Sequence, residues 1–412
     1  MIVPNPRYRA NPDRCILIEG RFDDQLLSRV TPAILKLQKT RDPITVFILN
    51  SPGGDIRVME SLLQLLRAPD QDFVRGRRII TVATKRASSA AADLLCSGDY
   101  SIAYPNSTIL YHGGRVFEDK ALTKEHTTLL AEYLRWSTDY YAWDLARKIE
   151  NRFRLRFLLS RDKFADVRTK RHPQKMSDFD CFLEVITEKL SPRGKAVCEA
   201  ARDRYKRYEV LLTKIPRTKR YKKQRPAILE AEQIKVILDF ELEANKKSRE
   251  WTFRYGGLRK LVEDFYLLTE YLESKQDDLL SEWCSDLGKF ALSPTEKAAM
   301  DAIQDQKLRT QKIVELVKPI IEPVWSFFIA LCHALQEGEN ALTAKDAYWL
   351  GLIDEVLGDP DMAALRWLME YKPDPPKTPD QQAGSTGSGD AEEKAKGEGK
   401  TDGTTGTETR PA

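Results

Sequence analysis

The sequence predicts an α/β layer that is interrupted by a long helical region and closes again near the end of the chain. Short apolar runs at residues 45–49, 79–83 and 108–111 alternate with segments of helical period and stop at polar residues, as half-buried strands do. From residue 120 to about 338, long charged segments of helical period replace the strands. Strand-and-helix character then returns at residues 339–357. The chain therefore divides into a first α/β part at 1–114, an all-α insertion at 115–338, a closing α/β part at 339–372 and a tail at 373–412. The tail is rich in Pro, Gly, Thr, Ser and charge and is expected to be disordered, because it has almost no large apolar groups to bury.

Taken in order, RCILIEG (14–20) reads as a strand. A helix at about 23–38 follows, with Leu26, Leu27, Val30, Ile34, Leu35 and Leu37 at helical spacing. ITVFILN is the next strand and runs into Asn50-Ser51-Pro52-Gly53-Gly54, which by itself reads as a tight turn. Asp55 is a candidate N-cap for a helix at 56–67. RRIITVAT supplies a third strand, a helix begins near Ser88, and SIAY and TILYH are two further short strands. Strands joined through helices imply a mainly parallel sheet, with its chemistry at the carboxyl ends of the strands.

In the insertion, a helix at 121–152 carries Leu129, Leu130, Tyr133, Leu134, Tyr140, Tyr141, Trp143 and Leu145, and another at 251–275 carries Leu258, Val262, Phe265, Leu268 and Leu272. Pro192, Pro216, Pro226 and Pro294 punctuate further helices near 177–190, 192–213, 227–248 and 278–291, with Ser191 placed to cap the one that starts at Pro192. In the closing part Thr343 can cap a helix and Gly351 can end it before a last short strand.

Composition narrows the function classes. The 66 Lys and Arg nearly balance 62 Asp and Glu, so the net charge of +4 does not indicate a nucleic-acid or membrane partner. Two local basic stretches, 214–225 and 152–175, keep nucleic-acid or acidic-partner binding as a weaker reading beside that of a solvated linker and an amphipathic helix. Six scattered cysteines with no C-x-x-C pair argue against a disulfide framework and a thiolate zinc site, and fit a reducing compartment. His126, His172 and His333 lack ligand-spaced partners and receive no metal role. The start of the chain lacks the pattern of a secretory signal and no run of 18 residues is uninterruptedly apolar, so a cytoplasmic protein with no membrane segment is expected. The apolar segment at 320–335 contains Glu322, Pro323 and His333 and is expected to be a buried helix.

Acyl-transfer chemistry needs a nucleophile, a base and donors for an oxyanion. Ser89 at the head of a helix, His112 at the end of a strand, the Gly53 amide in its loop and the Ala90 amide in the first helical turn are candidates for these roles. On spacing alone, capping by Ser88 or Ser89 and an ordinary turn at Pro-Gly-Gly are the commoner readings.

Five blocks in order change those odds. RCILIEGRFDDQLLSRVTPAILKLQ, FILNSPGGDI, ASSAAADLLCSG, YPNSTILYHG and LTAKDAYWLGLIDEVL resemble the successive blocks of the Clp protease proteolytic subunit, ClpP. The resemblance covers about residues 13–114 and 339–357. It implies the ClpP/crotonase fold of repeated β-β-α units and a serine peptidase that assembles as a homo-oligomeric ring. By motif, the nucleophile falls on Ser89, the base on His112, the oxyanion donors on the amides of Gly53 and Ala90, and the acid on Glu339, with Glu337 and Asp346 as neighbouring carboxylates. Peptide or protein would be the substrate, no cofactor is implied, and unfolding of proteins would need a separate ATPase, since no G-x-x-x-x-G-K-S/T loop is present.

The chain departs from the family pattern at several positions. Lys85 and Arg86 stand where a small glycine-containing stretch is usual, Ser88 is a second hydroxyl, and Asp93 replaces an apolar residue, placing charge near the site or marking a surface. The long insertion stands where the family has a short strand and one handle helix. The helix at 121–152 is the counterpart of that handle, with the segment at about 296–336 as a candidate to share its role. These departures define an alternative in which the core is a catalytically silent scaffold and the insertion binds a partner protein or nucleic acid. Acyl-thioester chemistry on the same fold is a third reading, weakened by the presence of both Ser89 and His112.

Overall fold

Aspartate caps open the first helices where the sequence places them. In the computed structural model, which describes residues 11–40, 42–68, 77–115, 123–171, 176–213 and 277–362, strand β1 (Cys15–Phe22) leads to α1 (Asp24–Leu37), whose first turn donates from the Leu26 amide to the Asp23 carboxylate. Strand β2 (Ile44–Gly54) leads to α2 (Ile56–Arg67), capped by Asp55. Leu26, Val30 and Ile34 of α1 and Val58, Met59, Leu62 and Leu66 of α2 are the buried faces. Each such aliphatic side chain contributes about 1.5–3 kcal/mol by leaving water. The helices expected at 227–248 and 251–275, the basic run at 214–225 and the tail beyond 372 lie outside the described residues.

The Pro-Gly-Gly segment is strand rather than turn. Arg21 and Phe22 of β1 pair with Gly53 and Gly54, so β2 continues through the loop. The approach is close enough that a Cβ on Gly54 would lie 2.3 Å from the Phe22 carbonyl oxygen. Glycine is therefore required there by the neighbouring strand, which local turn chemistry does not reveal.

Strand β3 (Ile79–Ser88) then forks the sheet. Residues 80–83 pair in parallel with β4 (Tyr100–Ala103), and residues 86–88 pair in parallel with β5 (Thr108–His112). Between them lies the short α3 (Ala90–Cys96), every residue of which is buried. Strand β6 (Glu339–Thr343) runs antiparallel to β5, and β7 (Glu355–Val356) extends the sheet beyond β4. The layer is thus mainly parallel, in the order β1-β2-β3-β4-β7 with β5 and β6 branching from β3. The polar run ENALT of β6 carries no local strand signal and becomes a strand by pairing with β5.

The helical residues pack on this layer. Helix α4 (Lys124–Ser160) starts from a Thr123 cap and runs past the expected end at 152, because its buried stripe of Leu145, Ile149, Phe153 and Phe157 continues. Helices α5 (Phe164–Arg171), α6 (Asp178–Lys189), α7 (Pro192–Thr213), α8 (Asp277–Ala291), α9 (Pro294–Asp301) and α10 (Gln306–Leu335) follow. The Ser191 hydroxyl accepts from the Gly194 amide at the start of α7, the expected cap. Helix α10 continues through Pro319 and Pro323, although interior proline costs about 3 kcal/mol or more. The burial of every residue from 324 to 335 offsets this cost. The expected buried helix at 320–335 is this segment, and among the described residues no helix is long and apolar enough to cross a membrane.

Aromatic side chains fill the junction of α4, α6, α8 and α10. Phe153 lies 4.8 Å from Phe328 and 5.5 Å from Phe182 between ring centroids, and Trp283 lies 4.8 Å from Trp325. Two arginines join α4 to the sheet. Arg152 donates to Asp354 (2.8 Å) and to the carbonyls of Cys96 and Gly98, while Arg156 lies 3.7 Å over the Tyr348 ring and donates to the Tyr348 carbonyl (2.9 Å). Both are buried, so neither contributes to the basic face that the composition of 152–175 allows. Two more of its arginines are engaged: Arg154 pairs with Asp286, and Arg168 with Asp178.

Candidate active site

Ser89 stands where β3 ends and α3 begins, and it is the only non-glycine residue with positive φ among those described, at φ 56° and ψ −126°. A side chain in that region costs on the order of 1–3 kcal/mol and persists only where the surroundings impose it. The surroundings here are the branch strand. The Ser89 amide donates to the Leu110 carbonyl at 2.7 Å, and the Ser89 carbonyl accepts from the Ala92 and Asp93 amides at 2.8 and 3.1 Å. Ser89 occupies the cap position of α3, yet its hydroxyl makes no capping bond. The plain capping reading therefore does not hold for it. A strained serine on a strand-to-helix turn with a free-standing hydroxyl is the geometry by which an α/β sheet displays a nucleophile.

Ser88 is set apart from this role. It is buried, and its hydroxyl accepts from Arg86 Nε at 2.9 Å. Lys85 and Arg86 themselves are exposed.

Gly53 lies flat against the serine. A Cβ added to it would stand 2.4 Å from the Ser88 carbonyl oxygen, 2.6 Å from Ser89 Cβ and 3.2 Å from the Ala90 nitrogen. With φ 87°, the position suits glycine on both counts. The Gly53 amide donates to the Ser51 hydroxyl at 3.2 Å, which in turn donates to the Gly20 carbonyl at 2.6 Å. The peptide units of Gly53 and Ala90 thus flank Ser89, where donors to an oxyanion would have to be.

His112 ends β5, two residues beyond the Leu110 carbonyl that holds Ser89, or roughly 7 Å along the strand. Its Nδ1 lies 2.6 Å from the Gly113 carbonyl oxygen. A carbonyl only accepts, so Nδ1 carries the proton and Nε2 of the neutral ring is left as the acceptor.

Glu339 is the direct partner of His112 across the β5–β6 ladder. Opposite residues of an antiparallel pair share a face of the sheet. The Glu339 carboxylate is exposed and is paired with Arg115, three residues past His112. The other two carboxylates near it are committed elsewhere. Asp346 is buried and accepts from the Ser191 amide and hydroxyl at 2.7 Å and from the Thr343 hydroxyl at 2.7 Å, joining the starts of α7 and α11 (Ala344–Trp349). Glu337 is paired with Arg204 at 2.5 Å. Of the three candidate acids, only Glu339 faces the histidine. Arg115 and the Gly113 carbonyl have no motif of their own; the Gly-Gly-Arg that follows His112 is the signal that could point to them.

Asp93 lies one turn into α3 and is buried, facing Lys148 and Asp144 of α4 and Glu60 of α2, so it does not mark a surface. Lys148 is also bonded to Asp144 at 2.5 Å. Burial raises the Asp93 carboxyl from 3.8 to about 6, with Lys148 opposing the rise. The folded chain therefore holds this proton more tightly than the unfolded one. The site favours folding fully below about pH 4, and that contribution is lost as pH rises through about 6. Asp93→Asn is expected to flatten the stability profile across this window and to stabilise the protein at pH 8 by on the order of 1–3 kcal/mol. Urea titrations at several pH values measure both effects, and an unchanged slope would count against the assignment.

Residues 5–122 match the family model described as Clp protease. The first α/β part of this chain, up to and including β5, is thus similar to the Clp protease family. Among solved structures, a ClpP1 mutant from Listeria monocytogenes is 19% identical over 34% of this chain and 73% of its own, with a TM-score of 0.28. The matched segment contains Gly53, Ser89, Ala90 and His112, whereas Glu339 lies beyond it. The matched segment thus holds the whole β3–α3–β5 unit that places Ser89 beside Leu110.

Proposed function

We propose that the chain is a serine-type peptide hydrolase resembling the ClpP proteolytic subunit, with Ser89 as nucleophile, His112 as general base and Glu339 as the acid. The observation that carries this reading is Ser89 itself: a non-glycine residue held at positive φ on a strand-to-helix turn, with a hydroxyl that caps nothing. In the reaction, His112 Nε2 takes the Ser89 hydroxyl proton as Oγ attacks a peptide carbonyl. The Ala90 amide, and the Gly53 amide once it exchanges the Ser51 hydroxyl for substrate, receive the oxyanion; the leaving amine takes the proton from the imidazole, and water then releases the acyl group. These steps use only groups of the chain and need no cofactor. A homo-oligomeric ring and a separate ATPase unfoldase are the partners implied for protein substrates.

A fluorophosphonate probe tests the nucleophile directly. Ser89 Oγ displaces fluoride from phosphorus, and peptide mass spectrometry of the labelled full chain is expected to find the adduct on Ser89 and none on Ser88. Labelling that is absent, or that survives Ser89→Ala, would remove the enzyme reading and leave the silent scaffold.

A further inference from the structure

We propose that Arg115 is a positioning residue that withholds Glu339 from His112, so that the structure describes a restrained form of the site; this rests on the serine-hydrolase reading above. The register of β5 and β6 sets Glu339 directly across from His112, the arrangement in which a carboxylate can accept from Nδ1 and favour the imidazolium formed during acyl transfer. Two other bonds stand in place of that contact. Arg115 pairs with the Glu339 carboxylate, and the single Nδ1 hydrogen of His112 is given to the Gly113 carbonyl.

The two bonds are mutually consistent. With its acid taken by Arg115, the ring is oriented by its own neighbour's carbonyl, which fixes the same tautomer but offers no negative charge to an imidazolium. The carboxylate has two competing cations, the guanidinium that is always charged and the imidazole that becomes charged only as Ser89 loses its proton. The alternatives differ by little, because the Arg115–Glu339 pair is solvent-exposed on both sides and exposed pairs are weak. Glu339 can therefore move from one partner to the other without any change in strand register. Glu337 and Asp346 are not placed to substitute for it: the ladder sets Glu339 and not Glu337 across from His112, and the starts of α7 and α11 hold Asp346.

The test is a double-mutant cycle read by fluorophosphonate labelling of the full chain, with the maximal labelling rate separated from the half-saturating probe concentration. Arg115→Gln is expected to raise the maximal rate about two- to five-fold at unchanged half-saturation, the range that an exposed ion pair can supply. Arg115→Lys is expected to stay close to the parent. In a Glu339→Gln background, Arg115→Gln is expected to have no effect, because the carboxylate it would release is gone. The imidazole nitrogen resonances of His112 give a second readout, with Nδ1–H shifting on Arg115→Gln as its acceptor changes from carbonyl to carboxylate. An unchanged or lower rate in Arg115→Gln, or an equal gain in the Glu339→Gln background, overturns the proposal while leaving Ser89 as nucleophile. Loss of labelling in every variant with a normal fold overturns the hydrolase reading, and this proposal falls with it.

Discussion

Ser89→Gly is expected to lower hydrolytic turnover by roughly 10,000-fold or more and, at the same time, to make the protein more stable by about 1 kcal/mol. The first effect follows from removing the oxygen that is proposed to attack the substrate. The second follows from φ 56° and ψ −126°, a region that glycine occupies freely and a Cβ does not. Relief of about 1–3 kcal/mol of strain is partly offset by the greater freedom of glycine in the unfolded chain, about 0.5–1 kcal/mol. Ser89→Ala separates the two effects, since it loses the hydroxyl but keeps the Cβ and should show the activity loss without the stability gain. Urea unfolding of the two variants beside labelling or peptide turnover makes the comparison. Equal stability of the glycine and alanine variants would mean that the serine is not strained.

Arg152→Ala is expected to cost about 3–5 kcal/mol of stability, seen as a lower urea midpoint, because it leaves a buried carboxylate without its cation. Arg152 is 4% exposed and Asp354 2%, and the same guanidinium also satisfies the carbonyls of Cys96 and Gly98 and the Ser101 hydroxyl. Replacing both members of the pair with leucine should recover much of the loss, since the cost lies in the uncompensated charge and not in the absence of a salt bridge. The recovery will be incomplete to the extent that the carbonyls of Cys96 and Gly98 remain without donors. If the double variant is no more stable than Arg152→Ala, those carbonyl bonds and not the ion pair are what Arg152 supplies.

Much of the α/β part could be read along the chain because its signals are local. Asp23, Asp55 and Thr343 cap helices within three residues of themselves, and the strands of the parallel layer are apolar runs that need no partner to be recognised. The roles of Gly53, Ser89 and His112 were legible only through the resemblance of five successive blocks to ClpP, since on spacing alone a cap and a turn are the commoner readings. Elements defined by contacts across the chain were not legible. Pro-Gly-Gly reads as a turn until β1 is laid beside it, and ENALT becomes a strand only against β5. Helix α4 outruns its expected end because its buried stripe continues along the residues packed beneath it.

The site divides along the same line. By itself the sequence determined which residue types stand at the strand ends: a serine before an alanine-rich helix, a histidine ending a strand, and glycines where backbone must approach backbone. Only the tertiary structure decided which serine is displayed and which is buried under Arg86, which of three carboxylates faces His112, and that Arg115 holds that carboxylate. The physical reason is range. Capping, propensity and hydrophobic period act over three or four residues and leave their mark in the order of amino acids, whereas the partner of a charge is chosen by strand register and burial, which bring Arg115 to Glu339 across more than two hundred residues of chain.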